Sequence, residues 1–251
     1  MIAAVAERLA RAASVCALTG SGISAESGLP TFRGANGLWR THRVEQLASP
    51  AGFARDPELV WSWYEERRAA HQLVEPNAGH HALARLERFY ADFTIATQNV
   101  DSLHLRAGSG SVLELHGSLR EARCDRCGSR RPFAGPLQAG ELEHACAPAS
   151  RGRFRPDIVW FGEALPGSTW TAAAAAAARA DVVLVIGTSG MVHPAASLAT
   201  HAPRADAYIV EINIEATAIT PYADAHLSGP SASVLPELVE TVGALRRSSH
   251  P

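Results

Sequence analysis

Ser14-Val15-Cys16-Ala17-Leu18-Thr19-Gly20-Ser21-Gly22-Ile23-Ser24-Ala25 passes from a short apolar run straight into a pair of glycines. A run of this kind reads as a strand buried on both faces, as in a parallel sheet covered by helices. Gly20, Gly22 and Ala25 fit G-x-G-x-x-G/A. In that turn the missing side chains let a pyrophosphate approach backbone N–H groups at the start of a helix. The same letters also fit a plain tight strand-to-helix turn, so the rest of the chain has to decide.

Outward from this stretch, similar apolar runs recur at 93–97, 112–116, 157–161, 181–187 and 207–212. Between them lie helical patterns at 2–13, 57–72, 78–90, 171–180 and 195–200, with a last helix expected after Pro236. Strands alternating with helices predict an α/β fold with a doubly wound, parallel, Rossmann-like sheet. Two stretches break the rhythm. Residues 36–90 show helices but no strand, and residues 120–155 are rich in Cys, Arg, Gly and Pro with little periodicity. Both are expected to form a smaller inserted helical and zinc-ribbon-like lobe. The large lobe is then 1–35, 91–119 and 156–245, the whole 1–251 making one domain. At about 150 residues per domain, the length suits one large domain carrying an insert.

Composition narrows the function. Hydrophobic residues make up 47% and charged residues 19%, which excludes wholesale disorder. The net charge of −2 gives no support for nucleic-acid or membrane binding through overall charge. All 23 basic residues are Arg; there is no Lys. The N-terminus enters a helical pattern directly, unlike a signal peptide. The alanine run at 172–178 is too short and too weakly apolar to span a membrane. Cys124, Cys127 and Cys146 cluster while Cys16 stands alone in an apolar strand, which is no disulfide framework. A cytoplasmic setting is expected, with Cys16 a core thiol. Modest size and charge allow a monomer.

The glycine turn departs from the dehydrogenase form. Ser27-Gly28-Leu29-Pro30 stops the helix early, and no strand leads to Glu45, so a ribose contact must come from elsewhere. Other strand ends offer suitable groups: Gly187-Thr188-Ser189, Asn213-Ile214-Glu215, Gln98-Asn99-Val100-Asp101 and His116-Gly117. Carboxyl ends of parallel strands are where such sheets bind ligands. His116 is a natural general base, since imidazole titrates near neutrality. A purely structural His fits that position as well.

These motifs together resemble the sirtuins, the NAD-dependent protein lysine deacylases. The resemblance rests on Thr19 through Arg33, Thr97-Gln98-Asn99-Val100-Asp101, His116-Gly117, Ile158-Val159-Trp160-Phe161-Gly162-Glu163, Gly187-Thr188-Ser189 and Asn213-Ile214-Glu215, in family order. It covers roughly residues 14–240. Ser21 and His193 depart from it, where Ala and Tyr are common. The resemblance implies that Gly20, Ser21, Gly22, Ile23, Ser24, Glu26, Thr31, Phe32, Arg33 and Trp39 wrap NAD, with Phe32 and Arg33 on a mobile loop. Gln98, Asn99, Val100 and Asp101 would serve the nicotinamide ribose, Asn99 and Asp101 as catalytic groups. Gly187, Thr188, Ser189, Asn213, Ile214, Glu215 and Ser231 would hold the adenosine half. In the family reaction an acyl oxygen attacks the nicotinamide ribose, and His116 would deprotonate a ribose hydroxyl. The products would be lysine, nicotinamide and O-acyl-ADP-ribose. Val159, Trp160, Phe161, Gly162 and Glu163 would pair with substrate backbone. Partners are then acyl-lysine proteins or peptides and NAD, with neither nucleic acid nor membrane. Plain NAD hydrolysis or ADP-ribosyl transfer is a rival use of the same residues. A non-catalytic NAD sensor would lack His116 or Asn99.

Two further features remain. Tyr64 and Arg67 stand at i, i+3 and share a helix face. Arg68 has Glu65 at i−3, whereas no acid lies at i±3 or i±4 of Arg67, so Arg67 is available for an external carboxylate. A solvated Arg and a core Tyr are the plainer reading. Tyr-x-x-Arg after Val60-Trp61 resembles the acyl-pocket motif of the desuccinylase/demalonylase branch (class III, sirtuin-5-like). Asn36-Gly37-Leu38-Trp39-Arg40 and Glu75-Pro76-Asn77-Ala78-Gly79-His80 resemble that branch too. Succinyl-, malonyl- and also acetyl-lysine are the implied substrates. Cys124-x2-Cys127 followed by Cys146 has the spacing of a zinc ribbon short of one thiol. His144 is the expected fourth ligand, with Ser150 a poorer one, and a metal-free degenerate ribbon is the alternative. Any zinc here would be structural. The remaining histidines, His80 and His104 included, are read as structural or solvated.

Overall fold

The structure is a computed structural model; it describes residues 1–31, 44–133, 135–136, 141–147, 150–200, 204 and 206–248. The opening run is strand β1 (Ser14–Thr19). It pairs in parallel with β2 (Asp92–Thr97) on one side, Cys16 opposite Thr94, and with β8 (Val182–Ile186) on the other, Cys16 opposite Val183. β3 (Val112–Glu114) lies beyond β2; β9 (Tyr208–Asn213) and β10 (Ala225–Ser228) lie beyond β8. The six-stranded order is β10-β9-β8-β1-β2-β3. It is the doubly wound Rossmann order, reversing direction between β1 and β8.

Alternate residues of β1 go to opposite cores. Val15 and Ala17 join a cluster with Val5 and Leu9 of α1 (Ile2–Arg11), Leu83 and Leu86 of α6 (Ala78–Glu87), and Leu235, Leu238 and Val239 of α10 (Ser231–Ser248). Cys16 and Leu18 join Ala173, Ala176 and Ala177 of α8 (Gly167–Arg179) and Leu198 of α9 (Ser197–Thr200). Both faces are covered, so the strand is apolar without alternation. Cys16 is a core thiol whose pKa burial pushes up to about 12.

The 120–155 stretch folds as an antiparallel sheet of order β5-β4-β7-β6. Its strands are β4 (Gly117–Cys124), β5 (Arg130–Pro132), β6 (Glu143–Ala147) and β7 (Ser150–Ile158). Charged pairs replace apolar periodicity there: Arg130 meets Asp157 at 2.7 Å and Arg151 meets Glu143 at 2.7 Å. Between β1 and β2 run α2 (Gly22–Ala25), α3 (Val44–Leu47), α4 (Pro50–Arg55), α5 (Pro57–Leu73) and α6, and α7 (Leu103–Arg106) follows β2. A third cluster, with Phe53, Val60, Trp61, Tyr64, Leu119, Phe133, Phe154 and Trp160, joins α4 and α5 to this sheet.

Three expectations need correction, and one strand had no expectation. Residues 157–161 are not a strand of the large sheet, because β7 belongs to the small sheet and ends at Ile158. Helix α6, assigned to the smaller lobe, packs its apolar face on the large sheet's core. Strand β10 went unread, being four residues long. Helix α10 begins at Ser231, ahead of Pro236, because the Glu26 carboxylate accepts the Ala232 N–H at 2.8 Å and so caps its first turn from 206 residues away. Among the described residues no helix is long and apolar enough to cross a membrane.

The sheet's reversal point is set by glycine. Gly187 sits at φ +59°, and a Cβ there would lie 2.5 Å from the Ile23 nitrogen. Gly187→Ala is expected to cost at least about 1–2 kcal/mol for the backbone conformation alone, read as a lowered unfolding midpoint in urea.

Candidate active site and metal centre

At the reversal point the ends of β1 and β8 touch backbone to backbone. The Gly20 N–H donates to the Ile186 carbonyl at 3.0 Å and the Gly22 N–H to the Gly187 carbonyl at 2.8 Å. Cβ atoms at Gly20 or Gly22 would stand 2.7–2.8 Å from Gly187 or Thr188 atoms, so neither position tolerates a side chain. Ser21 precedes the one-turn α2, which ends at Ala25 ahead of Gly28 at φ +94°. Ile23 and Ser24 are buried beneath this turn. Asn99 Nδ2 donates to the Gly20 carbonyl at 3.0 Å and to Ser24 Oγ at 3.2 Å. Ser24 Oγ donates to Asp101 Oδ2 at 2.7 Å, and the Leu103 N–H donates to Asp101 Oδ1 at 2.9 Å. Burial raises the Asp101 pKa, against the pull of those hydrogen bonds. The expected residues Ser24, Asn99 and Asp101 thus form one buried chain.

The adenosine-side group also converges. Gln98 Nε2 donates to Thr188 Oγ1 at 3.0 Å, and Asn213 Nδ2 to the Thr188 carbonyl at 3.0 Å. Ser189 is half-buried beside them, and Ile214 and Glu215 are exposed after β9. Glu26 and Ser231 meet each other at 3.4 Å, with the Glu26 carboxylate committed to the α10 cap. Thr31 is half-buried and Val100 lies in the third cluster. Phe32, Arg33 and Trp39, with the 36–40 motif, lie outside the described residues.

His116 follows β3. Its Nδ1–H donates to the Gln98 carbonyl at 3.0 Å, which leaves the lone pair on Nε2. Burial lowers its pKa, and the bond to Gln98 partly opposes this. Gly117 has φ +79°, and a Cβ would fall 2.0 Å from the Asp157 carbonyl oxygen. That close crossing brings β7 over the histidine, and the Val159 N–H donates to the His116 carbonyl at 2.9 Å. The turn 159–163 therefore starts at the main chain of His116. Phe161 is exposed and Gly162 takes φ +87°. Glu163 faces inward: it accepts from the Trp160 N–H at 2.8 Å and pairs with buried Arg155 at 2.5 and 2.9 Å. The Trp160 indole N–H donates to Tyr64 OH at 2.9 Å. Burial pushes the Tyr64 phenol up to about 12, so it stays protonated. The Arg67 guanidinium lies over the Trp63 ring at 4.6 Å and 5.9 Å from the Tyr64 ring centre, while Arg68 pairs with Glu65 as the spacing predicts.

The small sheet gathers Cys124, Cys127, His144 and Cys146, with their ligand atoms all within 4.8 Å of one another. Tetrahedral zinc with Zn–S of about 2.3 Å needs neighbouring sulfurs about 3.8 Å apart. Cys124 and Cys146 sulfurs stand 3.4 Å apart, too far for a disulfide of about 2.05 Å. Opposite His144 in the β6–β7 register is Gly152, where a Cβ would lie 2.4 Å from Cys124 Sγ and 2.9 Å from Cys146 Sγ. The donor set and the room left by Gly152 fit zinc, with His144 completing it. The ligands all sit in the small sheet, away from the strand ends.

A family model described as the Sir2 family matches residues 20–194. The chain belongs to the Sir2 family. It is similar to NAD-dependent protein deacylase 2 of Pyrobaculum aerophilum, 50% identical over 95% of this chain and 94% of that protein. Among solved structures it is similar to a Sir2 homologue in complex with NAD, TM-score 0.87, 44% identical over 96% of this chain and 94% of the other. It is also similar to a Sir2 protein bound to a myristoylated histone peptide, TM-score 0.76, 35% identical over 98% of both chains.

In this Sir2 chain the sequence reading passed over the layer beneath the site. His80 and His104 are buried with rings 4.9 Å apart. His80 Nε2 is 3.4 Å from Ser24 Oγ, and His104 Nε2 is 2.9 Å from Thr19 Oγ1, which donates to Thr97 Oγ1 at 2.8 Å. Burial drives the two histidines down to about 4 and about 3, so both are neutral supports. Asn77-x-x-His80 forms a capping box at the start of α6, a signal present in the sequence; the link to Ser24 is not local and had none.

Elemental analysis of the purified protein is expected to find about one zinc per chain. His144→Ala should lose it readily to a chelator, with a fall in melting temperature, since a structural site contributes folding energy directly.

Proposed function

We propose that the protein removes acyl groups from protein lysines with NAD as co-substrate, and that it favours acyl groups ending in a carboxylate. One observation carries the first part: His116, with its lone pair on Nε2, is bonded through Nδ1 to the Gln98 carbonyl, next to Asn99 of the buried Asn99–Ser24–Asp101 chain, and through its own carbonyl to Val159 at the start of the turn 159–163. Family membership and relatives named NAD-dependent protein deacylase support it. The residues fit a dinucleotide: a glycine turn that bears no side chains, uncharged strand ends at the reversal point, and Thr188 held between Gln98 and Asn213.

When bound, NAD supplies an electrophilic ribose carbon with nicotinamide as its leaving group. The chain's residues do the rest. His116 Nε2 accepts the proton of a ribose hydroxyl, ready to do so because burial keeps the imidazole neutral. Asn99, pinned by both amide hydrogens, and Asp101 orient the nicotinamide end. Backbone at 159–163 pairs with an extended acyl-lysine peptide. Deacylation wins over simple NAD hydrolysis only where water is kept from the ribose. Zinc in the small sheet is structural.

The acyl preference rests on α5, where Tyr64 offers an O–H donor and Arg67 a guanidinium one turn away on the same face. Succinyl- and malonyl-lysine suit this pair, and acetyl-lysine remains a substrate. With matched peptides, Tyr64→Phe and Arg67→Met are expected to lower desuccinylation kcat/KM by roughly 10- to 150-fold, the size of a lost charge-assisted hydrogen bond of about 1.5–3 kcal/mol. Deacetylation should change far less. Unchanged desuccinylation in Arg67→Met would overturn the preference. Nicotinamide release that is equal without any peptide would overturn deacylation itself.

The pH profile follows from the sign of the histidine shift. A base with a depressed pKa stays neutral to lower pH, so the acid limb of kcat/KM should fall below the ordinary histidine value of about 6.5. His116→Asn should remove that limb together with nearly all turnover.

A further inference from the structure

Trp160 is buried and held on every side. Its ring lies 5.4 Å from Phe53 and 6.3 Å from Tyr64, and the Arg155 guanidinium sits over it at 3.2 Å. Arg155 is itself fixed by two bonds to Glu163 and one to the Ile158 carbonyl at 2.7 Å. Glu163 closes the loop by accepting the Trp160 backbone N–H. This clamp leaves the indole one orientation, with Nε1–H aimed at Tyr64 OH at 2.9 Å. An indole N–H is a donor with no acceptor capacity, so the pair forms in one direction only. The phenol oxygen accepts, and its own O–H must point elsewhere. Among the described residues Tyr64 has no acceptor for that proton. The Arg67 guanidinium, on the same helix face, is a second donor group and cannot take it.

We propose that Trp160 is a positioning residue for acyl selectivity: its indole N–H holds the Tyr64 hydroxyl as a donor toward the acyl group, so that an acyl chain ending in an acceptor is favoured over one that does not. This rests on the reading of Tyr64 and Arg67 as the acyl-binding pair. The clamp also ties selectivity to the peptide-binding turn, because the same tryptophan is part of both.

The test compares kcat/KM for matched succinyl- and acetyl-lysine peptides with NAD. Trp160→Phe is expected to lower the succinyl-to-acetyl ratio by about three- to tenfold, the size of one neutral hydrogen bond, chiefly through KM for the succinyl peptide. In the Tyr64→Phe background the same change should leave the ratio where Tyr64→Phe put it. A merely structural tryptophan would depress both substrates alike, and an unchanged ratio overturns the inference. Replacing Trp160 with benzothienylalanine keeps the ring shape and removes only the N–H, so it gives the same reading if Trp160→Phe does not fold. If Tyr64→Phe and Arg67→Met themselves leave the ratio unaltered, the acyl-binding pair is wrong and the inference falls with it. If those two lower the ratio and neither Trp160 variant does, the pair stands and the inference alone fails.

Discussion

The contact on which the rest depends is the hydrogen bond from the Gly22 N–H to the Gly187 carbonyl. It joins the loops leaving β1 and β8, the two strands between which the sheet changes direction. Had either loop carried side chains there, the loops would have been pushed apart, since Cβ atoms would enter within 3 Å of backbone. Packed as they are, they present a short wall of main chain to the crevice. A wall of main chain lets a ligand approach closely, without the bulk or charge of side chains, which suits a pyrophosphate. Asn99 then ties to the back of this wall through the Gly20 carbonyl and links it to Ser24 and, through Ser24, to Asp101.

A second close approach binds the small sheet to this frame. Gly117 lets β7 cross at the Asp157 carbonyl, so the strand that carries the turn 159–163 is registered against His116 by main-chain bonds. The turn is then stiffened from inside by the Arg155–Glu163 pair. Arg155 is nearly fully buried, and a buried ion pair pays for itself poorly in stability. Its three bonds and its stacking on Trp160 fix geometry instead, holding the turn and the tyrosine of α5 in one rigid unit.

Legibility followed the range of the interactions. The large sheet was readable because residues in parallel strands face two cores, and a near-continuous apolar run is the direct consequence. The glycine turn, the early helix stop at Ser27-Gly28-Leu29-Pro30 and the Arg68–Glu65 pair were readable because each is settled within a few residues. The strands of the small sheet were not, because their registers shift within β4–β7 and β6–β7 and arginine–carboxylate pairs stand where an alternating pattern would carry apolar residues. The start of α10 was not, because its cap comes from Glu26. The buried His80 and His104 were taken for ordinary structural residues. Their place beneath Ser24 and Thr19 depends on α6 and α7 packing against β1, which no local pattern records.

The absence of lysine can be followed to the same end. Several arginines here do work that an ammonium cannot: Arg155, Arg68 and Arg179 each bind a carboxylate through two nitrogens. A planar fork is suited to that geometry and a point charge is not. Other arginines are exposed and singly paired, as Arg151 is with Glu143, where lysine would serve nearly as well. Fold requirements therefore explain part of the bias and leave the exposed positions without a structural reason. For a chain acting on acylated lysine side chains the consequence is definite at all 23 positions. No basic side chain among these 23 is a nucleophilic amine, so none of them can be acylated as a lysine is and none can present itself to the site as an acyl-lysine.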